Sequence, residues 1–231
     1  MTLSRLALMV CAGASIAHAS VALATEPGVN QARLVMANYA RCVVDKNAAL
    51  ARIAVLGQPG SHLRGAAFRR LFDPTCLTGA GGIAMRSVMI KGAMAEELIH
   101  KKFQISDDAA QLESQPPLSW VTALDTPAGS DENRAESDLG ENARPMAIRE
   151  SLMGRIAECV VRRLPTESAS LFRTKPSSGR EDNAIELLKP AYASCLRGEQ
   201  NDPGDRTEVR ASLAVAYYRL ASPAAATGST H

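Results

Sequence analysis

Four of the five cysteines, Cys42, Cys76, Cys159 and Cys195, are the side chains whose types and spacing come nearest to chemistry. A redox pair usually stands as C-x-x-C with a lowered thiol pKa. A structural zinc site usually takes its cysteines in close pairs. Neither spacing occurs here, so structural disulfides outrank both a redox couple and a four-cysteine zinc site. The other candidates are thinner. Gly79-Ala80-Gly81-Gly82 has the glycines of a phosphate-binding loop, but no strand leads into it and no Gly-Lys-Ser/Thr follows. It reads as an interhelical turn. His62, His100 and His231 form no H-E-x-x-H or clustered set, and no serine lies in G-x-S-x-G. Glu96 and Glu97 are adjacent and point to different parts of a helix surface, so they do not make a paired-carboxylate site. Met85, Met89 and Met94 read as core filler. No cofactor motif and no metal-ligand set is present. Two features remain as partner contacts. Arg64, Arg69 and Arg70 share one predicted helix. Trp120, the only tryptophan, follows Pro116-Pro117-Leu118. It either anchors a partner or plugs a groove on its own protein.

The elements that must position these residues come twice. Met36, Ala40, Cys42, Val43 and Val44 recur as Met153, Ala157, Cys159, Val160 and Val161, an offset of 117. Pro59 and Ser61 recur as Pro176 and Ser178 at the same offset. Cys76, Leu77 and Gly79 then recur as Cys195, Leu196 and Gly198, an offset of 119, as does Ala95 with Ala214. Four cysteines allow three pairings. The repeat selects Cys42–Cys76 and Cys159–Cys195, one bridge inside each copy. Each bridge closes a loop worth about 3–4 kcal/mol of chain entropy.

Helix formers and helical periodicity dominate both copies. In copy one, Val35, Tyr39, Cys42 and Val43 fall on one face of an opening helix. A short helix over 48–56 is closed by Gly57 and Pro59. A third helix over 63–72 leads to Cys76, and a last one spans 88–102. Copy two opens with Ile148, Leu152, Ile156, Cys159 and Val160 on one face and stops at Pro165. Its third helix, 182–196, is expected to kink or split at Pro190. Its last, 207–220, carries Val209, Leu213, Tyr217 and Leu220. Asp205 and Glu208 have capping-box spacing at its start. No stretch alternates as a strand. The fold class is therefore all-α: two tandem similar helical units, 29–104 and 148–221, each with an internal disulfide. Residues 105–147 between them, with Pro116, Pro117, Pro127 and Gly129, read as an acidic linker. Residues 222–231 read as a disordered tail.

Residues 1–24 read as an export signal. Arg5 precedes an apolar run over 6–17, too short to span a bilayer, and Ala17-His18-Ala19 and Ala22-Leu23-Ala24 are both small-x-small cleavage sites. Cys11 lies inside the run and leaves with it. No later stretch is long and apolar enough to cross a membrane. Four remaining cysteines suit a periplasmic or secreted protein.

Glu158-Cys159-Val160-Val161-Arg162-Arg163, with Ala193-Ser194-Cys195-Leu196, resembles a family of uncharacterised exported bacterial proteins that carry paired "ECVVRR…CL" blocks after a signal peptide. The resemblance covers both copies and is clearest in the second. Copy one departs from it, with Arg41 where Glu158 stands and Asp45 where Arg162 stands. It implies export and a helical repeat, and no catalytic residue.

Charge is uneven. Copy one, 33–104, holds 11 Lys and Arg against 4 Asp and Glu; 105–147 holds 2 against 9; and 148–221 holds 12 against 10. A basic copy one suits an anionic envelope component or another envelope protein. Outside the cytoplasm nucleic acid is not an expected partner. The sequence thus reads as an exported, non-catalytic binding or interaction protein. The alternative is a periplasmic hydrolase or other enzyme with a site between the two repeats.

Overall fold

A computed structural model describes residues 28–59, 70–77, 87–102, 111–121, 143–196 and 204–222. The stretch read as an export signal, Arg64, Arg69, the Gly79–Gly82 string, His62, His231, most of the acidic segment and residues 223–231 lie outside these residues. Ser222, read as the start of the tail, is buried at the end of the last helix. The described chain is all-helical, with six α-helices and no strand: α1 Val29–Leu56, α2 Ser87–Lys102, α3 Ala143–Arg163, α4 Pro165–Phe172, α5 Gly179–Leu196 and α6 Arg206–Ala221. A 3-10 turn, Pro74–Cys76, carries the second cysteine.

α2 and α6 pack against each other at the centre. α1 covers α2 on one side, and α3 covers α6 on the other. α6 has buried residues on every face, Leu213, Ala214, Tyr217, Tyr218 and Leu220 among them. A helix enclosed this way loses its one-sided stripe, and for this reason the stripe read from the sequence captured only part of its burial. The closest approach of α2 and α6 is at Gly92. A Cβ placed there would lie 2.3 Å from both Cα and Cβ of Ala211. Gly92 and Ala211 are 119 residues apart, the second offset of the sequence repeat.

The two opening helices break at matching places. Within α1 the helical path is interrupted at Asn47 (φ −152°, ψ 68°), and between α3 and α4 at Leu164 (φ −133°, ψ 60°). These residues are 117 apart. The Asn47 side chain accepts from Leu50 N–H at 3.1 Å and restarts one helix. Pro165, at the first position of α4, restarts the other, where its missing N–H costs nothing. Bridges join Cys42 to Cys76 and Cys159 to Cys195. The cysteines are consumed in pairs, which removes the four-cysteine zinc alternative. Beside the first bridge, hydrogen bonds from Thr75 and Lys46 hold the Asp73 carboxyl down at about 2.

Four local expectations need correction. α3 begins at Ala143, inside the segment read as linker, and Ile148 is 51% exposed rather than on the buried face. The buried face instead runs through Ala147, Met153, Ile156, Ala157 and Val160. α5 runs unbroken through Pro190. Pro190 and Glu186 are both exposed, so the carbonyl that the proline leaves unbonded faces solvent. Asp205 caps α6 by accepting from Glu208 N–H at 2.9 Å. The reciprocal arm of a capping box is not made, because the Glu208 carboxylate takes Arg149 at 2.6 and 2.7 Å. Finally, residues 111–121 are no tether. They lie against α3 with Leu112 and Trp120 buried.

Candidate functional site: two grooves and a buried ion network

Four charged residues stand one helical turn before the apolar faces of four helices: Arg33 before Met36 and Ala40, Lys91 before Met94 and Ala95, Glu150 before Met153 and Ala157, Arg210 before Leu213 and Ala214. All four are buried. An unpaired buried charge would cost several kcal/mol, so each must find a partner. Lys91 Nζ donates to Glu150 Oε1 at 2.7 Å and to the Gly57 carbonyl at 3.2 Å. Arg210 Nη2 donates to the Thr174 carbonyl at 2.8 Å. Gly57 and Thr174 are 117 residues apart, so these two cations cap corresponding helix ends.

The counter-ions differ between the halves. Where copy two has Glu150 facing Lys91, copy one has Arg33 on the side of Arg210. Two cations cannot face each other in a buried site, and Glu181 of α5 stands between them. Its carboxylate, fully buried, accepts from Arg33 at 2.8 and 2.5 Å, from Arg210 Nη1 at 2.9 Å and from Ser177 N–H at 2.8 Å. Burial works against the Glu181 anion. The bonds from Arg33 and Ser177, with the charges of Arg210 and Arg33, outweigh it and hold its pKa below the usual carboxylate range. Arg210 also pairs with Glu96, through Nε at 2.9 Å and through Nη2. Burial opposes that cation too, but Glu96 and Glu181 more than offset it, so its pKa rises.

Above this network an open cleft of about 300 Å³ lies between α1, α2 and the α4–α5 connection. Met36, Ala37, Met89 and Ala93 give it an apolar floor. Arg41, Arg173 and Lys175 stand exposed at its mouth. Arg41 is held only loosely, 3.6 Å from Glu97. His100 Nε2 is 2.7 Å from the Phe172 carbonyl. Glu96 and Glu97 thus do line one cleft, each turned toward an arginine.

A second groove, between α3 and α6, is filled by residues 115–121. Glu158 accepts from Leu118 N–H at 3.0 Å and from the Trp120 indole N–H at 2.6 Å. Arg162, braced on Glu158 at 2.7 Å, donates to the Gln115 carbonyl at 2.6 Å and the Pro116 carbonyl at 2.7 Å. The Arg219 guanidinium stacks over the indole, 4.3 Å from its centroid, and donates to the Ser119 carbonyl at 2.8 Å. Burial lowers the Arg219 pKa, with the Glu158 and Glu150 charges acting against that fall. The indole lies flat on Gly154, where a Cβ would come within 2.2 Å of the ring. Gln58, with its amide turned to donate, reaches the Ser119 and Val121 carbonyls at 3.2 Å.

The structure therefore places Trp120 in its own protein, at 7% exposure, as a plug rather than a free anchor. Arg70 is exposed and takes no part in either groove. Sequence reasoning missed Arg33, Lys91, Glu150, Glu181 and Arg210. For all but Glu181 the signal was there, as a charge at the end of each apolar stripe. Among the described residues no group of His, Cys, Asp and Glu could hold a metal ion, and no helix is long and apolar enough to cross a membrane. No protein-family model, curated protein or solved structure matches the chain.

Proposed function

We propose that the chain is an exported, non-catalytic binding protein made of two similar helical units, 29–104 and 148–221, that takes its ligand in the cleft walled by α1 and α2. Four correspondences support the duplication: the helix breaks at Asn47 and Leu164, the bridges, the Lys91 and Arg210 contacts to matched carbonyls, and the meeting of Gly92 with Ala211. The apolar run over 6–17 and two disulfides support export, as does the resemblance of the two blocks to exported bacterial proteins.

The observation that carries the binding reading is the state of the cleft's charges. Arg33, Arg210 and Glu96 line the cleft beside its apolar residues and are locked into one another and into the buried Glu181, which fixes shape and leaves the mouth cations to meet a ligand. A hydrolase would need a nucleophile with a base beside it, or an acid and a base set apart by their surroundings. The carboxylates here face arginines. The test is titration of the isotopically labelled protein with fractionated envelope extract, read by amide shifts at Ala37, Ala93 and Thr174. Saturable shifts with the added component recovered unchanged support binding. A component chemically converted, with conversion lost on filling the cleft by Ala93→Trp, supports the enzyme alternative.

A further inference from the structure

The open cleft and the Trp120 groove are the same groove in the two units. Four residues that hold the 115–121 segment in one have counterparts at the repeat offsets that line the other. Gly154 under the indole corresponds to Ala37, Glu158 to Arg41, Arg219 to His100, and Gln58 to Lys175. All four counterparts line the open cleft. The chain itself therefore shows what this kind of groove accepts: an extended, proline-containing stretch of polypeptide, bonded through its carbonyls, one backbone N–H and one side chain.

The chemistry is inverted in the open copy. Glu158, the acceptor that grips Leu118 N–H and the indole N–H, is replaced by Arg41, a donor with 60% of its side chain exposed. Arg219 is replaced by His100, already engaged with Phe172. Ala37 raises the floor where Gly154 admits an indole. Arg173 and Lys175 add positive charge at the mouth. An occupant must then offer a carboxylate where the 115–121 segment offers N–H groups, and a side chain thinner than tryptophan.

Resting on the binding function above, we propose that the cleft of α1 and α2 receives an extended acidic segment of a partner protein, laid as residues 115–121 lie in the equivalent groove, with its carboxylate on Arg41. This contact on Arg41, Arg173 and Lys175 is separate from the one expected on Arg64, Arg69 and Arg70, of which Arg64 and Arg69 lie outside the described residues. A charge pair on a side chain this exposed gives a preference of up to about fivefold.

The experiment uses the full mature chain and three synthetic peptides: the 115–121 sequence as it stands, the same with W120E, and the same with W120K. Amide shifts locate the binding, and titrations give the affinities. The W120E peptide is expected to bind at Ala37, Ala93 and Thr174, up to about fivefold tighter than the other two, with affinity falling as salt rises. The exposed Arg41→Glu variant, which should fold normally, is expected to reverse the order of W120E and W120K. Equal binding of all three peptides in the cleft, or an unchanged order in Arg41→Glu, overturns the acidic-segment proposal and leaves the binding function standing. No shift in the cleft with any peptide also overturns it, while the extract titration reads the binding function separately.

Discussion

Replacing Glu181 with glutamine should be among the most damaging single substitutions in the protein. The carboxylate is fully buried, accepts four hydrogen bonds, and is the only carboxylate partner of Arg33 among the described residues. Glutamine keeps the shape, offers one acceptor oxygen and brings donors toward two cations. Breaking a buried pair in this way costs about 3–5 kcal/mol. At about 2–4 °C per kcal/mol for a chain of this size, the midpoint of thermal unfolding should fall by about 6–20 °C. Glu96→Gln should cost less, because Arg210 keeps Glu181. The pH dependence has a definite sign. The folded pKa of Glu181 is lowered, so its contribution is complete above the unfolded carboxyl value of 4.5 and fades as pH falls from there through the folded value. Calorimetry of both proteins from pH 7 downward should show the gap between them closing in acid. A gap below about 1 kcal/mol at pH 7, the size of one ordinary hydrogen bond, would refute the reasoning. So would a gap that does not change with pH.

Removing either cysteine pair, Cys42 with Cys76 or Cys159 with Cys195, should cost about 3–4 kcal/mol in denaturant titrations, since each closes a loop of similar length. Gly92→Val should destabilise by about 1–3 kcal/mol through overpacking against Ala211, checked by thermal unfolding. The double variant Gly92→Ala with Ala211→Gly should recover only part of what Gly92→Ala alone loses, because the added methyl group still meets the backbone Cα and carbonyl oxygen of residue 211. Gly154→Ala should lift the indole from its seat and shift the emission of the sole tryptophan to the red, with little change in far-ultraviolet circular dichroism.

The helices and both bridges were legible in the sequence because each is written locally. Apolar residues three and four apart mark a helix face, and Pro165 and Gly57 mark stops. The matched cysteines fix the pairing once the repeat is seen. The linker misled because composition describes how a segment behaves alone. Residues 111–121 are held by Glu158, Arg162 and Arg219, contacts 38 to 100 residues away in sequence that no composition count registers. The same holds for Glu181, which lies on an α5 face mixed in character and matters only because Arg33 and Arg210 converge on it. Copy one departs from the second block with Arg41 for Glu158 and Asp45 for Arg162. Arg41 lines the open cleft, while Glu158 clamps the chain's own segment; Asp45 instead pairs with Lys101.

The equivalence of the two grooves can be tested by converting one into the other. The triple variant Ala37→Gly, Arg41→Glu, His100→Arg writes the floor, the acceptor and the stacking cation of the Trp120 groove into the open cleft. Binding of a fluorescently labelled 115–121 peptide to this variant and to the unaltered protein is the decisive measurement. Saturable binding to the variant is expected, located by amide shifts at residue 37 and Ala93, with weak binding to the unaltered cleft. A folded triple variant that binds the peptide no better than the unaltered protein would contradict the equivalence.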